Sequence, residues 1–365
     1  MRFSLTAEQS GFRDAVRTAL AKECTPTDLR KAFESPGWRT RRWTTLAELG
    51  VTGIAVPEAH GGLGLGLVEL VVVLEEAGRV ALPEPLTATA AVVAPVLAEL
   101  AASPGDAGDA GAGGAGPRSR LDGIAGGQEA AAIGLGPERE PVAGADGATV
   151  VVLGRPPEGD RAALYLLGTE DLEGEGGMVE PVRSLDPTRR LARVALPAGA
   201  RPVATGARAA GILRRAALRA AIGTAAELVG LSDRLLTTAA AYAGERRQFG
   251  RPIGSFQAVK HLLAGPRVRL EFARPAVYAA AWALDEGEPD APRRASAAKA
   301  QASELALEAA RVALQVHGAI GYTWECDLHL FLKRAWVLAA AWGSAAAHRR
   351  LVLDSLLDER GLARP

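Results

Sequence analysis

The alanine-rich second half of this chain constrains its fold more than any other feature. Apolar residues recur at helical spacing through four long stretches, Ala207 to Tyr242, Phe256 to Glu286, Ala291 to Gly318 and Asp327 to Leu357. Alanine favours helix and lets neighbouring helices approach closely. Long helices joined by short links predict a four-helix bundle with antiparallel members. Aromatic residues are only 5% of the 365, so Ala, Leu and Val must fill most of the core.

The middle of the chain has a different period. Ala131 to Leu135, Ala148 to Leu153, Ala163 to Leu167, Met178 to Val182 and Leu191 to Leu196 are short apolar runs between Gly, Pro and Asp clusters. They read as strands of a small β-domain. Before them the pattern is helical again. Thr6-Ala7-Glu8-Gln9 is a capping box, followed by Phe12, Val16 and Leu20 at helical spacing. Trp43, Leu46 and Leu49 mark a second helix ending at Gly50, Leu67 to Gly78 a third, and Thr87 to Ala102 a fourth. Ser103 to Gly116 is almost wholly Gly, Ala, Asp, Pro and Ser and reads as a loose linker. The fold class is therefore α+β, mainly α. Its expected parts are an N-terminal helical domain over 1–116, a β-domain over 117–205 and a bundle over 206–365.

Charge and cysteine usage exclude several functions. The 42 basic and 42 acidic residues cancel, so no global field would hold nucleic acid. Little net charge opposes self-association. Cys24 and Cys326 are isolated and make neither a disulfide framework nor metal spacing. His317, His329 and His348 lack metal spacing too. Residues 2–5 do not open a signal sequence, and the apolar run Leu70 to Leu74 is too short to cross a bilayer. A cytoplasmic protein, without membrane or metal, is the expectation.

Two segments carry chemistry. In Glu245-Arg246-Arg247-Gln248-Phe249-Gly250, Arg246 supplies a planar fork for a diphosphate and Phe249 an apolar wall, while Gly250 breaks the helix and allows close backbone approach. The plain alternative is a helix C-terminus, with Arg meeting the dipole and Gly capping. In Gln315-Val316-His317-Gly318-Ala319-Ile320-Gly321, Gln315 can bond a nucleotide, and Gly318, Ala319 and Gly321 leave room for it. The alternative there is a helix stop and a turn. Gln257 is a weaker candidate for the same nucleotide, since capping explains it equally.

In this order the segments resemble the acyl-CoA dehydrogenases. Leu46-Ala47-Glu48-Leu49-Gly50, Val56-Pro57-Glu58, Gly61-Gly62-Leu63-Gly64 and Glu75-Glu76-Ala77-Gly78 look like that family's N-terminal domain. Leu185-Asp186-Pro187-Thr188-Arg189-Arg190 resembles the end of its β-domain, and the two segments above resemble its flavin-contacting parts. The resemblance implies FAD held across a subunit interface, with Arg246, Gln248, Phe249, Gln257, Gln315, Val316, His317, Gly318, Ala319 and Gly321 as cofactor-binding positions. Ala319 departs from the glycine usual there.

The departures are informative. Where the family carries a hydroxyl-bearing loop for its own flavin ring, this chain reads Gly136-Pro137-Glu138-Arg139-Glu140-Pro141. Where most members carry the catalytic glutamate of a Glu-Gly-Thr/Ser triplet, it reads Trp342-Gly343-Ser344. The alternative base position, around Ala217 to Ala221, holds no acid. Removing an α-proton from an acyl thioester takes a carboxylate, so this chain is expected to contribute no catalytic residue. The resemblance is thus to the base-less subunit of heteromeric α2β2 acyl-CoA dehydrogenases. It implies a second dehydrogenase-like partner that mainly holds the FAD, an acyl-CoA substrate such as a bulky sterol side-chain thioester, a role in lipid metabolism, and a separate electron acceptor. The rivals are a self-sufficient homo-oligomer using Glu325 or Glu227 as base, and a non-catalytic scaffold.

Overall fold

A computed structural model describes residues 4–35, 37, 40–102, 115–136, 140–155, 162–168, 171 and 178–360. The expected linker falls almost wholly outside them, as do 137–139 of the loop after the first strand. The chain is mostly helical with small sheets. It packs as two compact units, one of Met1–Arg30, Val71–Leu82 and Ala221–Pro365, the other of Lys31–Leu70 and Pro83–Ala220.

The N-terminal helices are α1 (Ala7–Glu23), α2 (Pro26–Glu34), α3 (Arg41–Glu48) and α4 (Leu67–Arg79). The capping box forms as expected: the Gln9 amide donates to Thr6 Oγ1 at 3.1 Å and the Thr6 amide to Gln9 Oε1 at 3.0 Å. α2 was not anticipated, although Leu29, Ala32 and Phe33 recur at helical spacing and Leu29 and Ala32 are buried; its nine residues make too short a run to stand out. The helix expected from Thr87 instead opens as a π-helix, Thr87–Val93, and continues as α5 (Ala94–Ala101). Pro95 accounts for the change. It has no N–H to donate, and the wider turn relieves its ring from the carbonyl one turn back.

In the second unit α6 (Pro117–Ala125) precedes, among the described residues, six strands: β1 (Ala131–Gly134), β2 (Val150–Arg155), β3 (Ala163–Gly168), β4 (Met178–Pro181), β5 (Ala192–Ala195) and β6 (Ala204–Thr205). Four make a sheet in the order β1-β2-β3-β6, and β4 pairs with β5. The first pair is parallel, with Ala131 opposite Val150, and β2–β3 is antiparallel, with Val150 opposite Gly168. The five expected strands form; β6, two residues long, gave no sequence signal. Thr89 of the π-helix fixes the edge, since its Oγ1 accepts from the Ala131 amide at 2.9 Å.

The C-terminal helices are α7 (Gly206–Glu245), α8 (Gln257–Asp285), α9 (Ala291–His317), α10 (Leu328–Ala340) and α11 (Ala345–Glu359). α9 packs against α8, α10 and α11. Its buried positions are largely alanines, among them Ala298, Ala302, Ala306, Ala309 and Ala313. The single helix expected over Asp327 to Leu357 is two. It breaks at Ala341–Ser344, where Trp342 and Gly343 both have positive φ, 58° and 102°.

Within the first unit α4 crosses α7 with no room for a side chain at the contact. A Cβ on Gly78 would overlap the Glu227 carbonyl oxygen, and one on Gly230 would overlap that of Glu75. Buried carboxylates surround this crossing. Glu75 accepts from Arg274 Nε at 2.8 Å and from the Tyr278 hydroxyl at 2.7 Å. Glu76 takes both ends of the Arg17 fork, at 2.9 and 2.7 Å. Asp233 pairs with Arg79 and with Arg267, the latter at 2.6 Å. Burial and the Glu75 charge push the Tyr278 phenol well up, and the Glu76 carboxylate raises the Arg17 guanidinium further.

Candidate functional site

The first candidate segment follows α7. That helix ends at Glu245, and the chain then makes a hairpin, β7 (Arg247–Gln248) with β8 (Arg251–Pro252). Phe249 and Gly250 form its two-residue turn with φ of 51° and 77°. Paired positive φ values match the turn whose twist suits a short hairpin. Gly250 is therefore a hairpin glycine that neither breaks nor caps the helix, and its backbone is open, with nothing within 4 Å of a Cβ placed there. Phe249 is the costly member, because a bulky side chain resists the left-handed region. It stands 91% exposed, with its ring edge-on to Phe256 at 6.1 Å between centroids.

Arginines are concentrated here. Arg246 and Arg247 are exposed and form no ion pair among the described residues; Arg251 lies over the Phe256 ring at 4.1 Å. On neighbouring α8 the arginines are spent internally, Arg267 on Asp233, Arg269 on Glu308 and Arg274 on Glu75. The hairpin thus holds cations whose natural partner is an anion from outside. α8 begins beside them at Gln257, an exposed residue, and has no side-chain cap. Capping therefore does not account for Gln257, and the open helix end favours negative charge. Gln248 is exposed and donates its amide to the Arg247 carbonyl at 2.8 Å.

The second segment ends α9. The His317 ring stacks on Tyr242 at 4.4 Å and 19°, while its Nδ1–H donates to the Ala313 carbonyl at 2.7 Å. Tyr242 lies one turn before Arg246, and its carbonyl accepts the Arg246 amide at 2.8 Å. This stack joins the two segments. Gln315 and Ala319 are exposed, and Gly318 is open at φ 63°, with nothing within 4 Å of a Cβ placed there. Val316 and His317 are buried. Gly321 does not supply open space: a Cβ there would press on Leu314 and His317 at 3.0 and 3.1 Å, so packing explains that glycine. Sequence reasoning missed Tyr242, Arg251 and Phe256. Their signal was position, beside the motif rather than in it.

These groups suit a dinucleotide: unpaired guanidinium groups for phosphate, an exposed aromatic for a ring, a free amide at Gln315, and an open backbone at Gly318. Arg246, Gln248, Phe249, Gln257, Gln315, Gly318 and Ala319 are the residues that could hold FAD.

The position expected to hold a base is rigid and carries no acid. The Trp342 carbonyl accepts from His348 Nε2 at 2.9 Å, and the Gly343 carbonyl from Lys299 Nζ at 3.2 Å. Of the two rival acids, one is buried and one exposed. Glu227 is buried on α7. Glu325 is exposed, and its own backbone N–H, the Thr323 hydroxyl and Arg30 hold its carboxyl below the usual range. A general base at neutral pH needs the opposite shift. Among the described residues no three His, Cys, Asp or Glu could share a metal ion, and no helix is long and apolar enough to cross a membrane.

Both ends of the chain match known domains. Residues 210–357 match the acyl-CoA dehydrogenase C-terminal domain, and 6–102 the acyl-CoA dehydrogenase N-terminal domain. The chain is 34% identical over 330 residues to the acyl-CoA dehydrogenase IpdE2 of Mycobacterium tuberculosis, covering 90% of this chain and 91% of that protein. It is 33% identical over 384 residues to the acyl-CoA dehydrogenase FadE34 of the same organism, covering 99% of this chain but 49% of the relative. The chain therefore spans about half the length of FadE34. Among solved structures, the Tcur3481-Tcur3483 steroid ACAD G363A variant superposes with a TM-score of 0.80 at 26% identity, over 97% of this chain and 99% of that one. From the matched domains and from IpdE2 it follows that the chain belongs to the acyl-CoA dehydrogenase family.

Proposed function

We propose that this chain completes the FAD site of a second, catalytic dehydrogenase-like chain, and that the pair desaturates an acyl-CoA thioester between its α and β carbons. One observation carries the reading: the clamp of Arg246, Phe249, Gln315 and Gly318 is built and unpaired, while the base position holds Trp342. FAD, when bound, supplies the hydride acceptor. This chain supplies cations and donors to its nucleotide, and the partner supplies the carboxylate. Two features of relatives support the pairing. FadE34 is about twice as long as the stretch it shares with this chain. The Tcur3481-Tcur3483 steroid ACAD pairs two proteins, and its steroid class supports a bulky acyl thioester here. A separate electron-transfer protein would reoxidise the flavin.

The test is flavin content. Expressed alone, the chain should carry well under one FAD; coexpressed with the partner, the complex should hold about one per heterodimer. Arg246→Ala in that complex should weaken FAD retention by about 1.5–3 kcal/mol, the worth of a charge-assisted bond to phosphate. Unchanged flavin affinity in a folded variant would sink the reading.

The choice of base is tested separately. Glu325→Gln should leave turnover of the complex within about tenfold, a barrier change below ~1.4 kcal/mol. Loss of activity with flavin and assembly intact would favour the self-sufficient enzyme.

A further inference from the structure

The loop between the clamp and α10 is held by a residue far away in sequence. Gly318 to Tyr322 forms a 3-10 turn, and residues 323–327 lead irregularly into α10. Irregular backbone is costly in entropy to order. Here it is tied down. Arg30 of α2 donates from Nη1 to the Trp324 carbonyl at 2.6 Å, from Nη2 to the Glu325 carbonyl at 3.2 Å, and from Nε to Asp327 Oδ1 at 2.7 Å. A guanidinium suits this task because its fork spans several acceptors in one plane.

Asp327 adds an independent observation. It occupies the N-cap of α10, where an aspartate normally accepts from the helix amides, yet it makes no side-chain cap. Its carboxylate turns to Arg30 instead. A side-chain cap stabilises a helix start, so the helix forgoes that contribution in favour of the loop contact. Two further groups stiffen the loop. The Trp324 ring has His329 against it at 4.4 Å and Lys333 over it at 4.3 Å. The Thr323 hydroxyl donates to the Ile320 carbonyl at 2.9 Å. Arg30 is itself fixed on a helix that opens with Thr25 and Asp28 bonding each other's amides, at 3.2 and 3.3 Å.

We infer that Arg30 is a positioning residue for the nucleotide clamp. By pinning Trp324 to Asp327 it fixes the C-terminal end of the Gly318–Tyr322 turn, while the Tyr242–His317 stack fixes the other end. The turn is then preorganised, and a dinucleotide binds without having to order it. This rests on the proposed role of Gln315 and Gly318 at FAD.

The experiment uses the complex coexpressed with the catalytic partner, with FAD as probe. Arg30→Met should raise the FAD off-rate about tenfold or more. Arg30→Lys, which keeps the Asp327 pair but cannot span both carbonyls, should fall between it and the parent. Asp327→Asn should act in the same direction as Arg30→Met. In the flavin-free chain, amide hydrogen exchange should quicken over 319–326 and stay as it was in α9 and α10. Exchange rising across α9 and α10, or an Arg30→Met complex that keeps FAD like the parent while Arg246→Ala loses it, overturns the inference. If Arg246→Ala also keeps FAD, the proposed function fails instead. Should Arg30→Met not fold, Arg30→Lys and Asp327→Asn decide the matter by the same off-rates.

Discussion

Gly230→Ala should leave little soluble, folded protein. The new methyl would overlap the Glu75 carbonyl oxygen and crowd the Arg79 amide at 2.9 Å, so α4 and α7 must separate. Overpacking alone costs about 1–3 kcal/mol. The larger effect comes from what the crossing holds together. Glu75, Glu76 and Asp233 are buried, and their partners lie on α1, α4 and α8. Breaking a buried pair by losing one partner costs about 3–5 kcal/mol. Together these approach the whole stability of an ordinary domain, roughly 5–15 kcal/mol. Any variant that survives should melt roughly 10 °C or more below the parent. Gly265→Ala is the control. It sits in α8 with nothing within 4 Å of its Cβ and should be neutral or stabilising, by up to about 1 kcal/mol. Equal melting temperatures for the two variants would show that the close crossing does not govern stability.

Lys299→Met should be the next most damaging change, at about 2–5 kcal/mol. Lys299 has no exposed surface, and its ammonium donates to Ser303 Oγ at 2.8 Å and to the Ala339 and Gly343 carbonyls at 3.2 Å each. Methionine fills the same volume but leaves those oxygens without this donor. The Ala339 carbonyl lies in the last turn of α10 and the Gly343 carbonyl in the break after it, so the turn should loosen and let Trp342 leave its strained conformation. Strain of that kind is worth about 1–3 kcal/mol. Trp342→Gly should therefore soften the loss, and the double-mutant cycle should show a coupling of at least ~0.5 kcal/mol. Strict additivity would mean that Lys299 does not hold the tryptophan turn.

The same turn gives a pH dependence with a defined sign. Burial, together with the Lys299 charge, lowers the His348 pKa, against a smaller opposite push from its bond to the Trp342 carbonyl. Below about pH 6.5 the unfolded chain takes up a proton there that the folded chain resists. The contribution is present in full above that value and is lost as pH falls through the lowered folded pKa. In Lys299→Met, with one positive charge gone, acid should cost less at this residue. Melting curves at several pH values below neutrality would show it.

The helices and strands were legible in the sequence because local pattern decides them. Thr6 and Gln9 close their capping box within four residues, and the alanine-rich periods of α7, α8 and α9 run too long to be mistaken. The two candidate segments were legible for a related reason, since their chemistry sits in contiguous residues such as Arg246 and Phe249. The family followed from their order. Where Gly343 and Ser344 should have warned of a break, the apolar period on both sides suggested one helix. There the buried Lys299 and His348, tens of residues and one helix turn away, settled the matter.

What the sequence by itself determined is most of the elements, their order, the absence of an acid at residue 342 and the cations at 246 and 247. Only the tertiary structure decided which of those residues remain available. Arg246 and Arg267 are the same side chain, one just past the end of α7 and the other inside α8. Arg246 is exposed and forms no ion pair among the described residues, whereas Arg267 is neutralised by Asp233 at 2.6 Å. The same holds for Gly318 and Gly321, one open and one filled by Leu314 and His317. Local sequence fixes backbone preference over a few residues, whereas the availability of a charge or a space depends on which distant atoms fill the neighbouring volume.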